Sequence, residues 1–252
     1  MQCVLPRSRS FVEAELRVDA DVRSLVSALA DLGPAAARSR PGAPPAGNAD
    51  GRPATPPPDE PLSAIDVVRE VGRCLPETRV VVADGGHFVG FPCIHVSVSS
   101  PEQFVPTVDF GSIGLGLATA LGAALARPDH TTVLFVGDGG LSMSLQELET
   151  AVRERVRLLV VVLDDQAYVA EVHHLRVQGK DPACAYMRSP DFVAVAEGFG
   201  WAGRRITRLA ELETAVEEFR ADPAARPSLL HVPIRDDVVA DWFGRKLAQI
   251  YR

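Results

Sequence analysis

The residues whose types and spacing say most about chemistry are Asp138 and Asp165. Asp138 lies in Val136-Gly137-Asp138-Gly139-Gly140, where an apolar run ends in a glycine-flanked acid. Asp165 lies in Leu163-Asp164-Asp165-Gln166-Ala167-Tyr168, where a second apolar run ends in two acids. They stand 27 positions apart, room for one helix and one return strand, so both carboxylates can reach the same edge of a parallel sheet. Hard oxygen ligands beside a glycine turn suit Mg²⁺ holding a diphosphate, whose oxygens can meet backbone N–H groups at a helix start.

Two further segments belong to this group. Asp84-Gly85-Gly86-His87 follows the apolar run 79–83, and Gly111-Ser112-Ile113-Gly114 opens a helical pattern. Each has a plainer reading on its own. Asp138 could be a turn residue, and Asp164-Asp165 a solvated pair or a helix cap. His87 could be a surface histidine, Ile113 simple core, and Glu171 a surface acid. His173-His174 could be solvated loop residues or a metal pair. The joint spacing argues against the plain reading for the aspartates, because coincidence would have to strike twice at one sheet edge.

These residues need a frame to hold them. Apolar periodicity predicts helices over 61–75, 114–126, 144–154, 191–197 and 209–220. Ser189 or Asp191 would cap the fourth, and Thr207 would start the fifth. Continuous apolar runs predict strands over 79–83, 132–136, 157–163 and 228–232, buried on both faces. The expected fold class is α/β, a doubly wound parallel sheet with helices on both faces and a short N-terminal appendage. Ligands in such sheets bind beyond the carboxyl ends of the strands, where the acidic and glycine-rich segments fall.

The expected domains are 1–33 as an appendage, 34–61 as a Pro/Gly-rich linker and 62–252 as the main domain. In the appendage, 14–18 reads as a strand and 21–32 as a helix with Val22, Leu25, Val26 and Leu29 on one face. Of 252 residues, 46% are hydrophobic, enough for a real core, and the formal charge of −7 argues against nucleic acid as a partner. No apolar run reaches 18 residues and no signal peptide is recognisable, so a membrane span is not expected. Four scattered cysteines read as free thiols in a reducing, cytoplasmic setting.

Taken together, these motifs resemble the thiamine-diphosphate-dependent enzymes of the acetolactate synthase and 2-keto acid decarboxylase superfamily. The similarity runs over about residues 62–235, onto the family's C-terminal diphosphate-binding domain. It is carried by Asp84-Gly85-Gly86-His87-Phe88, Gly111-Ser112-Ile113-Gly114-Leu115-Gly116, Gly122-Ala123-Ala124, Gly137-Asp138-Gly139-Gly140, Gln146 through Val152 and Asp164 through Tyr168. Residues 11–32 resemble the end of the family's middle domain.

The resemblance implies roles. Asp138, Asp165 and the main-chain carbonyl of Ala167 would bind Mg²⁺, with diphosphate oxygens and water completing six-fold coordination. Gly139, Gly140 and Leu141 would offer N–H groups to the phosphates. The Gly111 carbonyl would accept from the cofactor's 4′-amino group, and Ile113 would wedge between its two rings. Gly86, Ser112, Gly137, Tyr168 and Val169 complete the residues expected against the cofactor. His87, Glu171 and His174 would be catalytic, His87 near the diphosphate or reacting centre and the other two in the substrate pocket.

The chain departs from the family pattern in three places. Asp164-Asp165 replaces a usual Asn-Asn, which predicts tight, strongly pH-dependent Mg²⁺ binding. Val169 replaces a common glycine. About half the family's usual length is absent, including the pyrimidine-binding domain that supplies a catalytic glutamate.

The expected protein is therefore the diphosphate-binding subunit of a split enzyme. Its partner would be a separate subunit carrying the pyrimidine domain, and the assembly a heterotetramer. The expected reaction is decarboxylation and carboligation of a 2-keto acid. The alternatives are a simple decarboxylase subunit or a non-catalytic diphosphate-binding regulatory module.

Overall fold

The computed structural model describes residues 2–4, 17–19, 21–31 and 61–251. The chain divides into two compact units, Met1–Ala54 and Thr55–Arg252. In the smaller unit β1 (Gln2–Val4) pairs in parallel with β2 (Arg17–Asp19), and α1 (Val22–Asp31) follows. The expected strand is found at its C-terminal end and the expected helix nearly in full. Residues 34–60 of the expected linker lie outside the described residues.

The larger unit opens with α2 (Ala64–Cys74) and β3 (Arg79–Ala83). Next come α3 (Gly90–His95), β4 (Phe104–Pro106) and α4 (Gly116–Ala126). β5 (Thr131–Gly137) runs directly into α5 (Asp138–Ser142), followed by α6 (Glu147–Arg153) and β6 (Leu158–Asp164). The chain continues through α7 (Val169–Val177), α8 (Phe192–Gly198) and β7 (Ala202–Arg205). It closes with α9 (Ala210–Ala221), β8 (Ser228–Pro233) and α10 (Asp241–Ile250).

The six strands form one sheet in the order β4-β3-β5-β6-β8-β7, and every pairing is parallel. The unbroken apolar runs are explained by two cores, one on each face. Val133 and Phe135 of β5, and Leu159, Val161 and Leu163 of β6, meet α2, α9 and α10. Leu134 and Val136, with Leu158, Val160 and Val162, meet α4, α6 and α8. Alternate residues of a strand point to opposite faces, so a strand covered on both sides must be apolar at every position.

Each of the four expected strands is present, with bounds shifted by at most one residue. The edge strands β4 and β7 went unexpected. One is three residues long, and the other reads Ala202-Gly203-Arg204-Arg205, with no apolar run to mark it. The helices α3, α5, α7 and α10 also went unexpected. α3 begins Gly90-Phe91-Pro92 and α5 contains Gly139-Gly140, and both sequences read as turns. The helix expected over 144–154 is α6, which starts later, at Glu147.

Strand order positions the site. From β3 the chain steps outward to β4, then returns to the other side for β5 and β6. The crevice between β3 and β5 is thus a topological switch point. Register then sets the heights. Gly137 pairs with Leu163, so Asp138 and Asp164 leave the sheet side by side.

Candidate functional site

β3 hands over to Asp84, which is fully buried. Its carboxylate accepts the Gly114 N–H at 2.8 Å, the Gly116 N–H at 3.1 Å and the Thr107 hydroxyl at 3.0 Å. Gly116 is the first residue of α4, so Asp84 satisfies helix-terminal donors across the sheet edge. It also fixes the loop of Gly111, Ser112 and Ile113. Gly111 and Gly114 hold φ of +73° and +83°, the left-handed region where glycine carries no Cβ penalty.

The β5 tip lies against this loop. A Cβ on Gly140 would collide with Asp84 Oδ2, and one on Gly139 would come within 2.7 Å of Tyr168 Cε1. These two glycines are what allow the β3, β5 and β6 tips to close together. Because α5 begins at Asp138, the N–H groups of Gly139, Gly140 and Leu141 lie in a first helical turn, which has no intrahelical acceptors. Gly137 ends the strand just before it.

Asp138 is 1% exposed. Its Oδ2 lies 2.8 Å from the Ser189 hydroxyl, which also lies 2.7 Å from Asp164 Oδ1. Burial pushes the Asp138 carboxyl up to about 6; Ser189 opposes this and the Asp164 charge adds to it. For Asp164 the balance is reversed. Burial pushes it up, but His231 Nε2 at 2.6 Å, the Ser189 hydroxyl and the Gln166 N–H at 3.1 Å together hold it below the usual range. Asp165 is pushed up to about 8 by burial and then by the Asp138 charge, with Asp164 and Asp236 adding to it.

This arrangement leaves buried negative charge only partly met. Asp138 and Asp165 are each destabilised in the charged form by burial and by a neighbouring acid, Asp164 for the first and Asp138 for the second. A divalent ion between them would relieve both effects. Among the described residues no three His, Cys, Asp or Glu side chains converge as a metal cluster. An ion here would need oxygens from elsewhere, such as the Ala167 carbonyl and a bound diphosphate. The backbone at Ala167 is held by an antiparallel bridge to Tyr186, after Gln166 turns the chain at φ +54°.

Residues 84–232 match the family described as "Thiamine pyrophosphate enzyme, C-terminal TPP binding domain". The match spans more than half of the chain. The chain belongs to this family. Thiamine diphosphate is therefore the cofactor of its fold.

The chain is 32% identical over 187 residues to the acetolactate synthase isozyme 2 large subunit of Escherichia coli K12, covering 73% of this chain and 34% of that protein. It is 28% identical over 177 residues to the isozyme 1 large subunit of the same organism, covering 69% and 31%. The chain thus spans about a third of the length of the curated relatives it matches. Among solved structures, benzoylformate decarboxylase from Polynucleobacter necessarius superposes with a TM-score of 0.63 at 24% identity, over 71% of this chain and 34% of that one. That likeness shows the fold alone.

The other expected site residues fall in three places. Gly86, Gly111, Ser112 and Ile113 lie with the Asp84 loop; a Cβ on the neighbouring Gly85 would meet the Ser112 carbonyl oxygen and Ile113 Cγ2. Tyr168, Glu171 and His174 line an open cleft of about 350 Å³, with Leu175, Cys184 and Ala185. The Val169 side chain is buried in a small apolar cluster with Val172 and Ala185. His173-His174 is part of α7 rather than a loop.

His87 is 5% exposed, with its ring edge-on to His173 at 5.3 Å and Phe243 6.2 Å away. Burial, then His173, pulls it down to about 4, so it is neutral near pH 7. His173 is also buried and lowered, while His174 hydrogen-bonds the Tyr251 hydroxyl at 2.9 Å through Nδ1.

The sequence marks no part for Asp84, Asp164 or His231, and it offers Ser189 only as a helix cap. The cap of α8 is Asp191, whose carboxylate accepts the Val193 and Ala194 N–H groups. His231 sits inside an apolar strand run, and a polar residue there was the one available signal.

Proposed function

We propose that this chain is the diphosphate- and Mg²⁺-holding part of a thiamine-diphosphate-dependent enzyme that acts on a 2-keto acid by decarboxylation and carboligation. One observation carries the reading. Asp138 and Asp165 stand at adjacent strand tips, each held above the ordinary carboxylate range by burial and nearby negative charge. Asp138, Asp165 and the Ala167 carbonyl would hold Mg²⁺. Gly139, Gly140 and Leu141 would donate N–H groups to the phosphates, with Gly137, Tyr168 and the Val169 backbone beside them.

At the other end of the cofactor, the Gly111 carbonyl would accept from the 4′-amino group, with Gly86 and Ser112 alongside and Ile113 setting the ring angle. When bound, thiamine diphosphate supplies a nucleophilic carbon and an electron sink for loss of CO₂. Glu171 and His174, lining the cleft beside Tyr168, would exchange protons with substrate oxygen. His87, neutral and packed among aromatic rings, would act by hydrogen bonding and shape rather than charge.

The pyrimidine end needs a carboxylate from a second domain. In this reading a separate subunit supplies it, and the working assembly is a heterotetramer. Residues 62–252 form the diphosphate domain, 34–61 the linker and 1–33 a remnant of a middle domain. Thermal shift tests the cofactor reading: thiamine diphosphate with Mg²⁺ raises the melting midpoint, and ADP with Mg²⁺ does not. Equal shifts from both would sink it. CO₂ release from 2-keto acids, measured with and without a co-purified partner, tests the assembly; full turnover by this chain alone would refute the split.

A further inference from the structure

We propose that Ser189 is the positioning residue of the cation site, joining its two halves through one hydroxyl. The inference rests on the reading of Asp138 and Asp165 as Mg²⁺ ligands. Ser189 Oγ lies 2.8 Å from Asp138 Oδ2 and 2.7 Å from Asp164 Oδ1, so it bridges the tips of β5 and β6. A hydroxyl has one proton to give. Asp164 has other donors, the Gln166 N–H at 3.1 Å and His231 Nε2 at 2.6 Å. Arg205 faces the other nitrogen of His231 at 3.3 Å, and an arginine only donates, so the Nε2 proton points at Asp164. The Ser189 proton is therefore available to Asp138. The Gly139 N–H also bonds this carboxylate, so Ser189 and the start of α5 together fix how Asp138 faces a cation.

The backbone around Ser189 holds the other half. Residues 185–187 run antiparallel to the loop after Asp165. The Tyr168 N–H donates to the Ala185 carbonyl at 2.9 Å, and the Met187 N–H to the Gln166 carbonyl at 2.8 Å. The Tyr186 hydroxyl donates to Asp236 at 2.6 Å and accepts from Arg176 at 2.7 Å, fixing the strap from outside. One short segment thus sets both the Ala167 carbonyl and, through Ser189, the Asp138 carboxylate. Asp164 and His231 act behind it as an anchor. Residues that orient ligands from behind in this way typically account for about 10- to 100-fold in metal affinity.

The test uses the full chain with Mn²⁺ and inorganic pyrophosphate, which supplies the phosphate oxygens, and follows the EPR signal of protein-bound Mn²⁺. The parent is expected to bind one ion per chain. Ser189→Ala is expected to weaken binding about tenfold, and Ser189→Thr, which keeps the hydroxyl, to stay within about threefold. If Ser189→Ala does not fold, the near-isosteric Ser189→Cys takes its place, with the same expected loss. A folded Ala or Cys variant that binds like the parent overturns the proposal. Equal weakening by Ala and Thr also overturns it, because that pattern means disturbed packing rather than a lost donor. A parent that binds no Mn²⁺ removes the cation reading itself, and this inference with it. That failure is visible before any variant is made.

Discussion

Two buried aspartates leave neighbouring strands of the same sheet and live in opposite circumstances. Asp84, after β3, has three neutral donors aimed at it. Asp138, after β5, has the Gly139 N–H and the Ser189 hydroxyl, which it shares with Asp164, and it stands among other acids. The first carboxylate is answered by the fold and the second only in part, since burial still holds it above the ordinary range. An ionised group buried without full compensation costs several kcal/mol, and proteins keep such groups where a ligand completes them. The contrast separates a carboxylate that the fold satisfies from one that it leaves partly unmet, although both are buried and both lie beside glycines.

The largest break in this comparison comes from removing the partly answered acids. Asp138→Ala or Asp165→Ala should lower Mg²⁺-dependent thiamine diphosphate affinity by about a hundredfold or more, equivalent to about 2.7 kcal/mol. The metal-free melting midpoint should change little. Calorimetric titration with and without Mg²⁺ checks this, and retained affinity in both variants would move the ion elsewhere.

The next effect in size reverses the pattern. Asp84→Asn places an amide N–H₂ against a cluster of donors. At least one buried donor loses its acceptor, at about 1–3 kcal/mol, and the loop over 111–114 loosens from α4. A clear fall in the denaturation midpoint is expected, with cofactor affinity falling as a consequence. A variant as stable as the parent would show that the three hydrogen bonds contribute little.

Proton competition comes third. Asp165, raised to about 8, keeps a proton at pH 7 that an ion must displace, and Asp138, raised to about 6, adds a second as the pH falls through that value. Affinity for Mg²⁺ should fall steadily from pH 8.5 to 5.5, with binding releasing protons to the buffer. Isothermal titration in buffers of different ionisation enthalpy counts those protons, and a count of zero at pH 7 contradicts the raised values.

The sheet was legible because four of its strands are buried on both faces, and six consecutive apolar residues at 158–163 suit a strand covered on both sides. Asp138 and Asp165 were legible because glycine and a paired acid interrupt such runs. The edge strands were not, because half-covered strands carry no continuous apolar signal. Ser189 and His231 were hidden for a different reason. Their partners lie 51 and 67 positions away in the chain, and only the sheet order brings β8 beside β6. Asp84 was visible as a motif residue, but its work on Gly114 and Gly116 depends on how the loop folds back.

The smallest expected effect distinguishes the two aspartates most directly. In Asp138→Asn the amide imitates a protonated carboxyl: its N–H₂ can donate to Ser189 Oγ, and the Ser189 proton then goes to Asp164. Without metal this variant should be at least as stable as the parent, by about 1 kcal/mol near pH 7. The sign follows from linkage. A carboxyl whose folded value is raised binds more protons folded than unfolded, so parent stability falls as pH rises from about 4 through the folded value. The variant lacks that term at position 138, and its advantage should widen between pH 5 and pH 7. Chemical denaturation at those two pH values, with EDTA present, measures it. A midpoint that drops for Asp138→Asn as it does for Asp84→Asn would mean that Asp138 is already fully answered within the fold, leaving no unmet charge for an ion to neutralise there.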